Sequence, residues 1–331
     1  MKLFFSRFFC HPWLIKAFLS IGCGLAWVQM AEAVSPVIIV TGAGGETTYA
    51  DQFARWGERW DKAASASGDV VTKIGPDDTE SLSHLRQALE KEAKDGPEEL
   101  WLVLLGHGSF DGREGKFNLT GDDLSASELA KLLKPFTRPV VVICSFSGSG
   151  SFLKPLSGPN RIIVTATKSG SETNFAHFGE FLSQTIADPS ADLDKDGQIS
   201  LLEAWLSAAQ RTVDFYKNEG RLATEHSLLD DNGDGFGTPA DWFQGLRLVK
   251  HSAEKQAPDG LRAGQIYLRP SDSERALAPA VRQERDELER QVAALREAKA
   301  TLPEDEYFAR LEALLVRLAK LYPAKKPDRL P

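Results

Sequence analysis

Cysteine is scarce in this chain. Its 331 residues hold three cysteines and two methionines, and two of the cysteines, Cys10 and Cys23, fall in an N-terminal stretch that reads as removable. Cys144 is then left alone, so the mature chain is expected to have no internal disulfide and to depend on packing or metal. A lone cysteine of this kind is either a buried strand residue or a reactive thiol. Long apolar runs are also missing. The most extended one, "AFLSIGCGLAWVQM" from Ala17 to Met30, is short for a membrane span. Positive charge is in deficit as well, with 39 basic against 47 acidic residues. No solenoid-type repeat is visible. What remains is ordinary for a globular protein, 42% apolar and 26% charged, which excludes wholesale disorder and a membrane channel.

The first 33 residues have the three parts of a secretory signal. Lys2, Arg7 and Lys16 give a basic start, the apolar run follows, and small residues close it at Ala31 and Ala33. Cleavage near Ala33 predicts a secreted or periplasmic protein with no stable membrane span. A lipoprotein reading through Cys23 fits less well, because Ser20 stands where a leucine is usual. Removing the segment takes away three basic residues and one acidic residue, leaving 36 against 46. Phosphate backbones would repel so acidic a chain, which argues against a nucleic-acid partner.

From residue 34 to 186 strand-like and helix-like segments alternate. Apolar runs at 37–42, 69–74, 99–106, 139–144 and 161–167 are separated by amphipathic stretches. One of these puts Phe53, Trp56 and Trp60 on a single helical face, and Ser125 with Glu128 has capping-box spacing. Apolar strands between amphipathic helices predict an α/β fold, a mostly parallel sheet with helices on both faces. Residues 187–250 carry aspartate–glycine clusters around a helix. Residues 251–272 read as a linker in which "AGQIYLRP" can supply one more strand. Residues 273–331 read as a helical hairpin, with Val281, Leu288, Val292 and Leu295 facing Phe308, Leu311, Leu315 and Leu318.

The strongest local motif is "DLDKDGQISLLE", Asp192 to Glu203. Asp192, Asp194 and Asp196 occupy positions one, three and five of a twelve-residue EF-hand loop. Gly197 permits the turn at six, Gln198 offers a carbonyl at seven, Ser200 stands at nine and Glu203 at twelve. A hard cation such as Ca²⁺ takes this all-oxygen set. The competing account is an acidic turn that caps a helix without metal, since Ser200 and Glu203 also make a capping box. "DDNGDGFGTPAD" repeats the spacing with Asp230, Asn232 and Asp234, and Asp241 stands at twelve. There an Asx-rich turn competes with a second Ca²⁺ site.

Two strand ends remain. "LWLVLLGHGSFDG" places His107 and Gly108 after one apolar strand, and "VVVICSFSGSGSFL" places Ser147 after the next. Neighbouring parallel strands would bring the pair to one carboxyl edge. A histidine and a nucleophile there are the minimum for acyl transfer, with backbone N–H groups near Gly108 and Ser147 for an oxyanion. The bland account is a polar loop edge with a hydrogen-bonded histidine. "TGAGGETTYA" reads as a turn at the same edge, His226 as a local hydrogen-bond partner, and "NLT" at Asn118 as a glycosylation site only in a glycosylating source.

At these residues the block from Val37 to Ile186 resembles the caspase-like fold, nearest to legumain-type cysteine peptidases. That family carries His-Gly after one strand and Ala-Cys-x-Ser-Gly after the next. His107-Gly108 matches the first motif, and Ser149-Gly150 matches the end of the second. The cysteine position then falls on Ser147 and the alanine on Phe146, while Cys144 would serve only if the chain bulged. A serine is far harder to deprotonate than a thiol and needs a base held by a third group. No sequence feature identifies an acid that orients His107. The expected function is therefore an exported calcium-binding module of peptidase shape, taking a peptide or protein ligand without catalysis. The alternative is a peptidase-like hydrolase using Ser147 and His107.

Overall fold

A computed structural model describes residues 35–250 and 258–322. The expected signal segment, with Cys10 and Cys23, lies outside the described residues.

The fold is built on parallel strands that are apolar on both faces. β1 (Pro36–Thr41) leads into α1 (Thr47–Ser65), β2 (Val70–Ile74), α2 (Ser81–Lys91) and β3 (Leu100–Leu105). A small antiparallel sheet follows, made of β4 (Gly108–Phe110), β5 (Gly115–Phe117) and β6 (Leu124–Ser125). α3 (Ala126–Leu133), β7 (Val140–Ser145), α4 (Gly150–Leu156) and β8 (Arg161–Thr165) complete the alternating part. Next come α5 (Phe178–Thr185), α6 (Leu201–Asn218), β9 (Leu228–Asp230) and β10 (Thr238–Pro239).

The main sheet has seven strands in the order β10-β9-β8-β7-β3-β1-β2. The five strands from β2 to β8 run parallel, and β9 and β10 close one side antiparallel. The mostly parallel α/β sheet read from the sequence is thus the observed architecture. Alternation along each strand divides the core in two. Val37, Trp101, Ile143 and Val164 face α1, α5 and α6, meeting Trp56, Leu182 and Trp205. Ile38, Leu102, Val142 and Ile163 face α2, α3 and α4, meeting Leu85, Leu129 and Phe152. Helices therefore cover both faces, which removes the need for polar residues on either. The anticipated cap before α3 is present, with the Glu128 N–H donating to the Ser125 hydroxyl at 3.2 Å.

Two expectations on the C-terminal side differ from the structure. "AGQIYLRP" is not a strand. It makes a 3-10 turn at Ala263–Gln265, and its Ile266 carbonyl accepts the Leu201 N–H at 2.8 Å. The sheet ends at β10 instead, and Ile266 and Leu268 are buried as cover over the α6 side of the core. The helical hairpin is present as α8 (Pro279–Glu297) and α9 (Glu304–Leu321), preceded by the short α7 (Asp272–Arg275). Leu288, Val292 and Leu295 are buried on α8 as read, but on α9 Phe308 and Leu315 are exposed. The inward stripe is Tyr307, Leu311, Leu314 and Leu318, an equally regular helical spacing that overlaps the first.

The hairpin is tied down by charge. Glu274 of α7 and Arg285 of α8 are almost fully buried and meet at 2.5 Å, and Arg285 also bonds Asp286 at 2.7 Å. Arg282 reaches Glu274 at 3.1 Å, and Gln265 bonds Glu289 at 2.8 Å. Breaking such a pair leaves a buried charge uncompensated, at a cost of about 3–5 kcal/mol. Arg285→Ala is therefore expected to lower the denaturant midpoint and expose α8 and α9 to protease. An unchanged midpoint and digestion pattern would refute this account of the anchor.

Candidate functional site

The register of β3 and β7 fixes the first candidate site. Leu105 pairs with Ser145, so the two chains leave the sheet level with each other, and His107 and Ser147 each stand two residues beyond. The approach is close. A side-chain carbon on Gly108 would collide with the Ser147 carbonyl and the Phe146 ring, so only glycine fits there. The structure thus brings the two sequence-predicted residues to one sheet edge. Gly108, the expected oxyanion donor, opens β4 and pairs with Phe117 of β5.

His107 sits in an aromatic setting. Its ring lies 4.9 Å from those of Tyr49 and Phe53, both edge-on, and 5.9 Å from Phe175. Partial burial among these rings holds its pKa below the ordinary histidine value, against a hydrogen bond to the Gly44 backbone carbonyl that acts the other way. That carbonyl is a polar neighbour of the ring where the sequence offered no acid. A neutral imidazole keeps one ring nitrogen as an acceptor. No side-chain pattern signals this neighbour, since it is a main-chain oxygen of the glycine-rich turn after β1.

The neighbours of Ser147 settle several sequence readings. Cys144 is wholly buried on the α2, α3 and α4 face, and burial pushes its thiol far above the usual range. It is a packing residue. Phe146 follows the same alternation inward, with its ring 5.0 Å from Phe117 and from Phe152, so it fills core and does not obstruct the edge. Ser149 accepts the backbone N–H groups of Ala166 (3.0 Å) and Thr167 (3.1 Å). That ties the turn after β7 to the loop after β8. Ser147 itself is only 3% exposed.

The loop after β8 carries a second polar group of contacts. Glu172 accepts the ring and backbone N–H groups of His226 at 2.6 and 3.2 Å, as expected of a local histidine partner, and the Glu172 carbonyl takes the Gly148 N–H at 2.8 Å. Glu225 is buried and accepts the N–H groups of His177 (2.8 Å) and Phe178 (3.0 Å) at the start of α5, together with the Tyr216 hydroxyl (3.1 Å). Burial raises its pKa to about 7, opposed by those hydrogen bonds and reinforced by the Glu172 charge.

The two aspartate loops share one design. In the first, Asp192 accepts the N–H groups of Lys195 (2.7 Å) and Gly197 (3.2 Å). Asp194 accepts from Asp196 (3.1 Å), and Asp196 from Gln198 (2.9 Å). In the second, Asp230 accepts from Gly233 (2.9 Å) and Gly235 (3.2 Å). Asn232 accepts from Asp234 (2.8 Å), and Asp234 from Phe236 (2.8 Å). Positions four and six have positive φ in both loops, at 63° and 93° in the first and 79° and 81° in the second.

The closing carboxylates also correspond. Glu203 accepts the N–H groups of Leu193 and Asp194 and the Ser200 hydroxyl, at 2.7, 3.3 and 2.8 Å. It also completes the capping box of α6. In the second loop this place belongs to Asp259, which accepts from Asp231 (2.9 Å), Asn232 (3.2 Å) and the Thr238 hydroxyl (2.6 Å). Asp241, expected at position twelve, is exposed and pairs with Lys250 at 2.7 Å. The short reach of aspartate and Pro239 turn it away, and an acid from outside the twelve-residue window replaces it.

Among the described residues, Asp192, Asp194 and Asp196 form the one group of three acidic, histidine or cysteine side chains whose ligand atoms lie within 4.8 Å of one another. Partial burial and the neighbouring carboxylates raise the pKa of Asp194. Burial raises that of Asp230. Asp259 is pushed up to about 8, by burial first and then by the Asp231 charge.

No protein-family model and no curated protein matches the sequence. Among solved structures, the chain is similar to the Drosophila initiator caspase Dronc, with a TM-score of 0.41 and 12% identity over 70% of this chain and 95% of that one. It is also similar to Raptor from Chaetomium thermophilum, with a TM-score of 0.35 and 13% identity over 83% of this chain but only 23% of that one. Neither likeness is strong enough to carry fold or function onto this chain.

Glu225 gives the site a measurable pH dependence. Its folded pKa is raised, so its contribution to stability is complete below about pH 4.5 and is lost as pH rises through about 7, a change of about 3 kcal/mol. Glu225→Gln is expected to flatten the stability curve over that window. Equal slopes for the two proteins would show that Glu225 does not carry the effect.

Proposed function

We propose that this chain is an exported, calcium-binding relative of the caspase-like peptidases that serves as a binding module for a peptide or protein and does not cleave it. The observation that carries the reading is the state of its two candidate nucleophiles. Cys144 is sealed in the core, and the residue at the strand edge is a serine, 3% exposed, in place of a thiol. A neutral imidazole beside an enclosed alcohol is a poor substitute for a thiolate, whose formation drives the family's chemistry. The glycine-bordered edge with Tyr49 and Phe175 is where a peptide would lie. Export rests on the sequence of residues 1–33. Among the described residues, no helix is long and apolar enough to cross a membrane.

Calcium completes the reading. The first loop offers Asp192, Asp194 and Asp196 as clustered carboxylates with the Gln198 carbonyl beside them, and Ser200 and Glu203 hold its shape. The second offers Asp230, Asn232, Asp234 and the Phe236 carbonyl, with Asp259 in the closing place. All donors are oxygen, as a hard cation requires, and a chain without disulfides has use for such clamps. A second reading, a serine hydrolase, is favoured by the lowered pKa of His107, since a general base must be neutral to take a proton.

Two measurements test these readings. Calorimetry is expected to record Ca²⁺ uptake with dissociation constants of about 10⁻⁴ to 10⁻³ M. Asp192→Ala with Asp194→Ala removes the first phase. Asp259→Asn weakens the second and Asp241→Asn does not, and the reverse order for those two variants would return position twelve to Asp241. A fluorophosphonate probe is expected to leave Ser147 unlabelled and peptide libraries intact. Labelling that disappears in His107→Ala would replace the binding-module reading with the hydrolase.

A further inference from the structure

A groove of about 490 Å³ lies between α4 and the second aspartate loop. Leu153 and Lys154 of α4 form one wall, the run Gly235–Thr238 forms the other, and Lys168, Leu228 and Trp242 complete the lining. Among the described residues the two lysines are its only charged ones, in a chain whose formal net charge is −8. The stem of Lys154 lies along Gly235, where a side-chain carbon would sit 3.6 Å from Lys154 Cγ. Its exposed ammonium has no carboxylate partner among the described residues. Lys168 is half-exposed, with Glu172 at 3.6 Å. The loop's own acids do not line the groove, for Asp234 is turned onto the Phe236 N–H and Asp230 is buried.

Beside these cations stands a half-exposed apolar side chain. Phe236 is 52% exposed, at the same rim as Trp242. The same wall includes Thr238 of β10, the outermost strand of the main sheet.

We propose that this groove binds a short acidic peptide, with carboxylates on Lys154 and Lys168 and an aromatic side chain against Phe236 and Trp242. The exposed Lys154 ammonium, with Lys168 beside it, selects the charge, and the half-exposed ring selects an apolar residue between the acids. The groove shares no lining residue with the His107 edge, so the proposal stands whichever reading of that edge holds.

Fluorescence anisotropy of the full chain with labelled Asp-Glu-Phe-Glu-Asp tests it. Saturable binding is expected, weakening with added salt. Replacing both lysines (Lys154→Glu with Lys168→Glu) or Phe236→Ser is expected to reduce affinity about tenfold or more. The basic counterpart Lys-Lys-Phe-Lys-Lys is expected not to bind. Both lysines are on the surface, and near-ultraviolet circular dichroism checks the fold of each variant, with Lys154→Met in reserve should the double reversal disturb it. The proposal is overturned if the acidic peptide does not bind, if the basic one binds as well, or if charge reversal changes nothing. It is also overturned if Asp-Glu-Ala-Glu-Asp, with alanine in place of the aromatic residue, or inorganic phosphate binds equally, for the groove would then be a plain anion site.

Discussion

The pairing of β3 with β7 is the constraint on which the rest of the molecule depends. Both strands are buried on both faces along their whole length, so neither can slip without moving a layer of side chains from one core to the other. That fixed register sends two chains out of the sheet level with each other and brings His107 and Ser147 to one sheet edge. It also assigns Cys144 to packing, because alternation leaves a residue three positions before Ser147 on the opposite face. The same period decides that Phe146 fills the core.

The polar architecture around this edge is almost wholly main-chain. His107 has the Gly44 carbonyl as its polar neighbour, the turn after β7 is held by Ser149 through two backbone N–H groups, and Glu172 and Glu225 fasten the following loop by accepting amides. Such contacts give a rigid edge without a side-chain relay. On the reading proposed above, an enclosed alcohol at such an edge serves recognition, since a nucleophile must be reached to react. The aspartate loops follow the same economy, with each carboxylate or amide oxygen engaged by the amides of its own turn.

What the sequence made legible was whatever a local period or fixed spacing encodes. The five parallel strands, α1 to α3, the Ser125 cap and the first aspartate loop with its capping box all belong here, since each depends on residues a few positions apart. Long-range geometry was hidden. The Gly44 carbonyl carries no side-chain signature. β9 and β10 are too short to show a period, and "AGQIYLRP" has the apolar content of a strand but spends it as cover over the α6 side of the core. On α9 two overlapping stripes had equal claim, and only packing against α8 chose Tyr307, Leu311, Leu314 and Leu318. Asp241 stood at the right count but could not turn back past Pro239.

The place of Asp259 gives the two loops different histories during folding. The first is sealed by an acid within its own helix start, so it can take shape while its neighbours are still unformed. The second waits for a residue nearly thirty positions downstream of Asp230, and closing that distance carries an entropic penalty which only a nearly finished tertiary structure can offset. One turn therefore records local order and its twin records the arrival of the chain's later third.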